Sequence, residues 1–224
     1  GNASHFTCPF HGWSYSSEGA LTGVPFLKDA YFGDLDRKKW GLYEVAKVES
    51  YRGLLFANMD TDCISLDEFL GDLKWYLDVL LSRTLGEIEI LPGRQRYRCK
   101  TNWKIAGENF AGDTYHLPYS HGSLFRVDAP LLNPVSYMNS PNLYSVTTKH
   151  GHGLCGVSAA GERFEADLKL AEELGVEARE YVEETKRRLD EAVSREQADV
   201  YTLAFGNIFP NFSFNNFSAL RPYG

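Results

Sequence analysis

Residues 1 to about 60 carry their apolar positions in short runs that alternate with polar residues, among many glycines and aromatics. Alternation with a period of two is typical of half-buried strands. The stretch WSYSSEGAL predicts a hairpin that turns at Glu18-Gly19, and Gly53 separates the strand-like runs YEVAKVES and LLFANM. We therefore expect a small all-β unit here.

The pattern changes at Ser65. In SLDEFLGDLKWYLDVLL the apolar residues recur at helical spacing, and Ser65 with Glu68 three residues later forms a capping box. One helix is therefore predicted over residues 65–81. It marks a boundary between a domain at residues 1–64 and a second domain at residues 65–224.

The second region mixes helix and strand patterns. LPGRQRYRCKTNWK predicts a strand that leads into a helix near Asn102. Residues 162–200 are rich in Glu, Lys, Arg, Ala and Leu, and they predict two solvated amphipathic helices with a break at Gly175. The run YTLAFGNIFPNFSFNNFSAL returns to strand composition and predicts a core strand pair. The fold class predicted for the whole chain is α+β.

Composition excludes several classes of protein. The 224 residues are 43% hydrophobic and 24% charged, as in a globular protein, and no apolar run approaches the roughly 18 residues of a membrane span. A formal charge of −7 argues against a nucleic-acid partner. Four scattered cysteines indicate a reducing cytoplasm rather than a disulfide framework. Because the chain starts without Met and stops in mid-pattern at ALRPYG, we expect an internal fragment of a longer protein.

The stretch NWKIAGENFAGDTYHLPYSHGSL gathers residues that bind metals. On a helix over residues 103–116, Asn109, Asp113 and His116 would share one face. His121 would point about 140° away on a straight helix. Because Pro118 cannot continue a helix, we expect the helix to end near His116 and His121 to return from the following loop.

Two histidines with a carboxylate and open positions are typical of a non-haem Fe(II) centre. Hydrogen-bonded histidines at a helix end, or a zinc site, would produce the same spacing. A second stretch, CPFHGW, places Cys8 and His11 at the C-x2-H spacing that supplies half of a Rieske [2Fe–2S] site. Half of a zinc site remains the alternative there. HGHG at residues 150–153 favours a turn over a metal site.

CPFHGWSYSSEGAL followed about a hundred residues later by NWKIAGENFAGDTYHLPYSH resembles the α subunit of Rieske-type aromatic-ring-hydroxylating dioxygenases, nearest to the naphthalene and biphenyl dioxygenase group. VPF, YEVAKVESYRGLLFANMD, DLKWYLD and NIFPNFSF match in the same order. The resemblance implies a truncated Rieske-type antiparallel β domain, followed by part of a catalytic domain built from helices and an antiparallel sheet.

The resemblance also implies roles for individual residues. Cys8 and His11 would bind the [2Fe–2S] cluster, with the partner Cys/His pair upstream of this chain. His116 and His121 would hold the mononuclear Fe(II), with an aspartate ligand downstream. Asp113 would link the two centres across a subunit boundary, and Asn109 would lie close to the iron. The substrate pocket would include Phe110 and Leu117.

The implied activity adds both atoms of O2 to an aromatic ring and gives a cis-dihydrodiol. Electrons from NAD(P)H would arrive through a reductase and a ferredoxin, and the α subunits would form an α3 or, with a small β subunit, an α3β3 oligomer. Two other functions stay open: a Rieske-type monooxygenase or demethylase on the same scaffold, and a Rieske electron carrier. A carrier would not need the helix that bears His116.

Overall fold

The computed structural model describes residues 2–83, 92–123, 142–157, 160–200 and 202–215. The chain divides into two units, Gly1–Leu66 and Asp67–Gly224. Among the helices of these described segments, none is both long and apolar enough to cross a membrane. That the first unit is a Rieske domain and the second a mononuclear-iron domain stays a prediction.

The first unit is built mainly from short antiparallel strands, with one short α-helix and one 3-10 helix. Its three-stranded sheet has the order β1-β2-β3, and β4 pairs with β5 in a separate hairpin. The turns follow the predicted glycines, since Gly19 and Gly53 have φ angles of +87° and +86°. The elements are β1 (His5–Thr7), β2 (Ser14–Ser16), β3 (Leu21–Gly23), α1 (Leu27–Tyr31), a 3-10 helix (Arg37–Lys39), β4 (Lys47–Tyr51) and β5 (Leu54–Asn58).

The single helix predicted over residues 65–81 is wrong. The chain forms α2 (Leu66–Leu70) and α3 (Leu73–Leu81), and Gly71 between them has φ +47°, a left-handed conformation that interrupts the helix. Within the first unit, the amide of Leu66 donates to Glu49 Oε2 at 2.9 Å.

The second unit is built on a four-stranded antiparallel sheet with the order β6-β7-β8-β9. The predicted strand pair at residues 201–220 is confirmed as β8 and β9. Between β7 and β8 the predicted helix break at Gly175 is also confirmed, and a third short helix follows. The elements are β6 (Leu143–Thr147), β7 (Gly153–Val157), α6 (Ala160–Leu174), α7 (Val176–Ala192), α8 (Arg195–Val200), β8 (Thr202–Ile208) and β9 (Phe212–Asn215).

Two helices precede this sheet in the chain, α4 (Lys104–Gly112) and α5 (Leu117–Ser120), and the candidate iron ligands His116 and His121 lie immediately before and after α5. Residues 93–99 contain no strand, so the strand predicted before α4 is wrong. α4 packs very closely on β7, because a Cβ atom built on Gly153 would lie 2.6 Å from the carbonyl oxygen of Ala111. Helices with an antiparallel sheet confirm the α+β class, while the predicted truncation of a Rieske domain stays a prediction.

Candidate metal centre

The helix that carries Asn109 ends four residues earlier than predicted. α4 stops at Gly112, and Asp113 leaves the helical conformation with φ −80° and ψ +89°. Asp113 Oδ1 accepts hydrogen bonds from the amides of Tyr115 at 3.1 Å and His116 at 3.4 Å. A short carboxylate that bonds nearby amides competes with helix continuation. The prediction that Asp113 and His116 share a face of α4 is therefore wrong.

The same residues nevertheless meet. Asp113 Oδ2 lies 3.1 Å from His116 Nδ1, and Asn109 Nδ2 lies 3.4 Å from each ring nitrogen of His116. When Nδ1–H donates to the carboxylate, the lone pair of the neutral imidazole resides on Nε2, the nitrogen then available to a metal. The turn after α4 thus brings together three of the predicted site residues.

The backbone of His116 is held on both sides. Its carbonyl accepts hydrogen bonds from the amides of Tyr119 at 3.1 Å and Ser120 at 2.8 Å, which begins α5. Pro118 lies in the first turn of α5, where its missing N–H removes no intrahelical bond. Pro118 therefore belongs to a new helical turn rather than to a loop. His121 follows directly after that turn.

The two histidine rings lie close enough to share a metal ion. The ring centroids of His116 and His121 are 5.2 Å apart, with an angle of 64° between the planes. With metal–nitrogen bonds of about 2.1 Å, two imidazoles on one ion have centroids roughly 4.5–5.5 Å apart. The observed separation fits that range, so this pair can supply two ligands of a mononuclear iron site.

A third ligand is not found among the residues that the structure describes. Within those segments no group of three His, Cys, Asp or Glu side chains could hold a metal ion. Asp113 uses Oδ1 for backbone amides and Oδ2 for His116. Its geometry is that of a residue that orients a ligand, as carboxylates behind metal-bound histidines do.

The end of α4 also acts electrostatically on the sheet beneath it. Burial, and then the charge of Asp113, raise the pKa of the Cys155 thiol on β7 to about 12. Cys155 is fully buried and pairs with Ser145 of β6. A Cβ atom built on Gly112 would lie 2.7 Å from Ser145 Oγ, so the last residue of α4 rests on the same sheet. Cys155 stays protonated at neutral pH and is a packing residue.

The two predicted pocket residues lie on either side of this turn. Phe110 follows Asn109 on α4 and is half-buried. Leu117 is the first residue of α5, but its side chain lies outside the described residues. Their assignment to a substrate pocket stays a prediction.

Cys8 and His11 lie on the loop between β1 and β2. The Cys8 amide donates to the carbonyl of Trp13 at 2.8 Å, and the Gly12 amide donates to the carbonyl of Cys8 at 2.9 Å. Cys8 is half-buried, whereas His11 is exposed against the ring of Phe10, with centroids 3.9 Å apart. One thiol and one imidazole on one loop match half of the ligands of a Rieske cluster.

His152 is a residue whose importance the sequence analysis missed. Its side chain is completely buried, with hydrogen-bond partners at both ring nitrogens, so it is not available to a metal. The only sequence signal at this position is the HGHG pattern, in which glycines flank the histidine, and this pattern predicted a turn. The structure adds that the histidine joins separate elements.

Comparison with known proteins supports the family suggested by these motifs. Residues 67–219 match the model of the ring hydroxylating alpha subunit (catalytic domain). The chain is 35% identical over 221 residues to the N,N-dimethyl phenylurea N-demethylase subunit alpha of Sphingobium sp. (strain YBL2), covering 96% of this chain and 46% of that protein. It is 33% identical over 219 residues to the large oxygenase component of the naphthalene 1,2-dioxygenase system of Pseudomonas aeruginosa, covering 96% and 47%.

A solved structure agrees with these relatives. The naphthalene 1,2-dioxygenase from Rhodococcus sp. bound to indole superposes with a TM-score of 0.67 and 34% identity, over 97% of this chain and 47% of that one. The chain therefore spans about half the length of the proteins that it matches.

Proposed function

This chain belongs to the ring-hydroxylating α-subunit family, and on that premise we propose that its protein is the large subunit of an aromatic-ring dioxygenase. The reaction adds both atoms of O2 to an aromatic ring and takes two electrons from NAD(P)H and two protons overall, giving a cis-dihydrodiol. The observation that carries the proposal is the pair of imidazoles, His116 and His121, with Asp113 on Nδ1 of His116.

The residues of this turn would each prepare the iron site. His116 and His121 would hold Fe(II) through Nε2 lone pairs, and the hydrogen bond from His116 Nδ1 to Asp113 fixes the tautomer that this requires. The site would hold Fe(II) for the activation of O2, since two histidines with one carboxylate would leave positions open. Asn109, whose amide lies beside the His116 ring, would orient a water or the oxygen substrate.

Phe110, next to Asn109 on α4, and Leu117 would form apolar walls that hold a flat ring and exclude water. Pocket walls of this kind distinguish substrates by single methyl-sized differences of about 1–3 kcal/mol. The detailed shape of the pocket, rather than any sequence motif, would therefore determine which arene is the substrate.

The first unit would supply electrons. Cys8 and His11 would bind one side of a Rieske [2Fe–2S] cluster, whose imidazole ligands raise its potential relative to an all-cysteine cluster. A ferredoxin and a reductase would deliver the electrons from NAD(P)H. In an α3 or α3β3 oligomer, Asp113 would accept a hydrogen bond from the neighbouring subunit's counterpart of His11 as well as from His116. Four free cysteines suit a cytoplasmic location.

The experiment uses the longest natural form of the protein, loaded with iron and supplied with its electron donors. His116→Ala and His121→Ala should each lose the mononuclear iron and all oxygenation while keeping the Rieske EPR spectrum. Cys8→Ser should lose the Rieske spectrum and keep the mononuclear iron. Tyr119→Phe removes only an exposed hydroxyl from α5 between the two histidines, so it should retain both metals and full turnover.

Retention of iron and product by both histidine variants would exclude this site. Loss of the Rieske spectrum in His116→Ala would contradict the assignment of two separate centres, or show that this segment is needed to fold both. Turnover in 18O2 completes the test, because a dioxygenase product carries two labelled atoms from one O2 molecule.

A second candidate is oxidative N-demethylation. It is favoured by one observation: a relative 35% identical over almost the whole chain is named as an N-demethylase subunit. Demethylation incorporates one oxygen atom into the N-methyl carbon, which is released as formaldehyde, and the other atom leaves as water. Formaldehyde from an N-methylated aromatic, in place of a doubly labelled diol, would select this activity with the same site residues.

A further inference from the structure

A single buried imidazole joins three separate parts of the second unit. His152 precedes β7 directly and has no exposed surface. His152 Nε2 lies 2.7 Å from the carbonyl oxygen of Phe69 in α2, and the amide of Phe209 donates to His152 Nδ1 at 3.0 Å. Phe209 lies in the turn between β8 and β9. One side chain therefore joins α2, the start of β7 and that turn.

These partners fix the protonation of the ring. Nδ1 accepts a hydrogen bond from the Phe209 amide, so in the neutral ring it carries the lone pair, and Nε2 carries the hydrogen that is donated to the Phe69 carbonyl. An imidazolium has no acceptor, so protonation would break the bond to Phe209 and leave its amide without this partner.

The residues on either side of His152 contact the elements that it organises. A Cβ atom built on Gly151 would lie 3.6 Å from the ring of Phe209, and one on Gly153 would lie 2.6 Å from the carbonyl oxygen of Ala111 in α4. The ring of Phe209 in turn lies 5.6 Å from that of Trp103, the residue just before α4. α4 is therefore contacted near both ends by groups that neighbour His152.

We propose that His152 is a positioning residue, which holds α4 and its Asn109 against the sheet through Phe209 and Trp103. The anchoring of α4 is a property of the fold alone. Its consequence for iron bound at His116 rests on the proposed function. The anchoring of α4 and the binding of iron therefore need separate measurements.

The surroundings of His152 favour the neutral form that this role needs. Burial lowers the pKa of His152, the Phe69 carbonyl opposes that effect, and His150 lowers the pKa further. His150 is the titratable neighbour on the same turn, with ring centroids 6.3 Å apart, and Lys149 beside it is exposed. On α2, Glu68 is exposed and Asp67 pairs with Lys74. The turn at residues 209–211 contains no charged side chain.

Two conservative variants divide the role of the ring between its nitrogens. His152→Asn places an oxygen acceptor at the position of Nδ1 and keeps the bond from Phe209, but it does not titrate. His152→Gln places an amide donor at the position of Nε2 and keeps the bond to Phe69. Phe209→Leu is the matched partner variant, since it keeps the backbone amide and removes the ring that faces Trp103.

Hydrogen exchange of the amides in α4, measured on metal-free protein and corrected for intrinsic pH dependence, is the readout. Wild type should lose protection in α4 as pH falls below about 6.5, the ordinary pKa of histidine. His152→Asn should keep protection and lose this pH dependence. His152→Gln and Phe209→Leu should exchange roughly tenfold faster in α4 at neutral pH, as expected for loss of one buried hydrogen bond or ring contact. Exchange in the β4–β5 hairpin should be unchanged in all of them.

If the α4 amides exchanged at the same rate in wild type and His152→Gln, the proposal would be wrong. It would also be wrong if His152→Asn and His152→Gln lost the same protection in α4. If His152→Gln does not fold, Phe209→Leu decides the question, because unchanged exchange in the first turn of α4 would refute the route through Trp103. Iron content is measured afterwards on the same proteins. Faster α4 exchange with unchanged iron binding would support the anchor and count against the proposed iron site at His116.

Discussion

The loop with Cys8 and His11 and the segment with His116 and His121 carry similar ligands, but different parts of the chain hold them in place. The first loop is closed by backbone hydrogen bonds within six residues, between Cys8, Gly12 and Trp13. The second segment depends on α4, whose position is set by β6, β7 and β8, strands that lie 30 to 100 residues further along the chain. The position of Cys8 and His11 therefore depends on neighbouring residues in the chain, whereas the position of His116 and His121 depends on tertiary packing.

If that difference is real, the largest effect should come from a sheet glycine that touches neither ligand. Gly153→Ala would place a methyl group 2.6 Å from the carbonyl oxygen of Ala111, a backbone atom that cannot rotate away. Overpacking of this kind costs about 3 kcal/mol. We expect a lower urea midpoint, displacement of α4 and loss of iron binding at His116, with the exchange of the β1–β2 loop unchanged.

Gly107→Ala is the matched control for Gly153→Ala. It adds the same methyl group on the other side of the α4–sheet contact, where the nearest atom is Asn207 Oδ1 at 3.5 Å, an ordinary contact distance. Because alanine favours helix over glycine by up to about 1 kcal/mol, this variant should be neutral or slightly more stable. Equal losses in the two variants would contradict the close-packing explanation.

The second effect concerns the orientation of a ligand rather than the position of a helix. Asp113→Asn keeps the size of the side chain but removes the charge of the carboxylate that accepts the hydrogen bond from His116 Nδ1. Loss of such a partner typically weakens metal binding 10- to 100-fold, and we expect that loss in an Fe(II) titration. Glu108→Gln removes an exposed carboxylate from α4, the helix that precedes Asp113, and should bind iron like wild type. Equal affinities for the two variants would show that Asp113 only caps the turn.

Some parts of the fold and of the site could be predicted from the sequence. Short-range signals were sufficient for the hairpins at Gly19 and Gly53, the helix break at Gly175 and the β8–β9 pair, because each depends on neighbours within a few residues. The approach of the His116 and His121 rings was also predicted, whereas their role as iron ligands stays a prediction. The helix predicted over residues 103–116 failed, since the Asp113 side chain captures the amides that would have continued it.

Other features could not be read from local sequence, because they are tertiary contacts. His152 bonds with Phe69 and Phe209, which are 83 and 57 residues away. The break of the predicted 65–81 helix requires a left-handed Gly71, a conformation that periodicity does not report. The periodicity of apolar residues predicts helices and strands. It does not predict which side chains connect elements that are distant in the sequence, and these are identified only from the structure.

The third effect is local strain in the first loop. Gly12 has φ +74°, and a Cβ atom there would lie 3.1 Å from Pro25 Cγ. Gly12→Ala should destabilise the first unit by about 1 kcal/mol, chiefly through the left-handed backbone. Gly12→Asn adds the same Cβ atom, but asparagine tolerates this conformation better, so it should recover part of the loss. Neither variant should change iron binding at His116, and a change there would contradict the separation of the two sites.

The smallest effect should come from the ion pairs on α7. Arg187 donates hydrogen bonds to Glu184 and Glu191. The hydrogen bond from Arg187, and then that from Arg188, lower the pKa of the Glu184 carboxyl to about 2. Arg187 and Glu191 are exposed and Glu184 is partly exposed, so solvent and salt screen the attraction and side-chain ordering opposes it. Arg187→Ala should therefore leave the urea midpoint unchanged within error.

Leu189, two residues further along α7, is the comparison for Arg187. It is completely buried, and Leu189→Ala should cost about 2–5 kcal/mol. A urea midpoint that falls as far in Arg187→Ala as in Leu189→Ala, with the Arg187→Ala loss disappearing in high salt, would mean that surface charge holds α7 in place. A loss confined to Leu189→Ala would show that apolar packing holds α7, as close packing holds α4 on the same unit's sheet. The second unit would then rest on tertiary packing at both places, in contrast to the backbone-closed loop of Cys8 and His11.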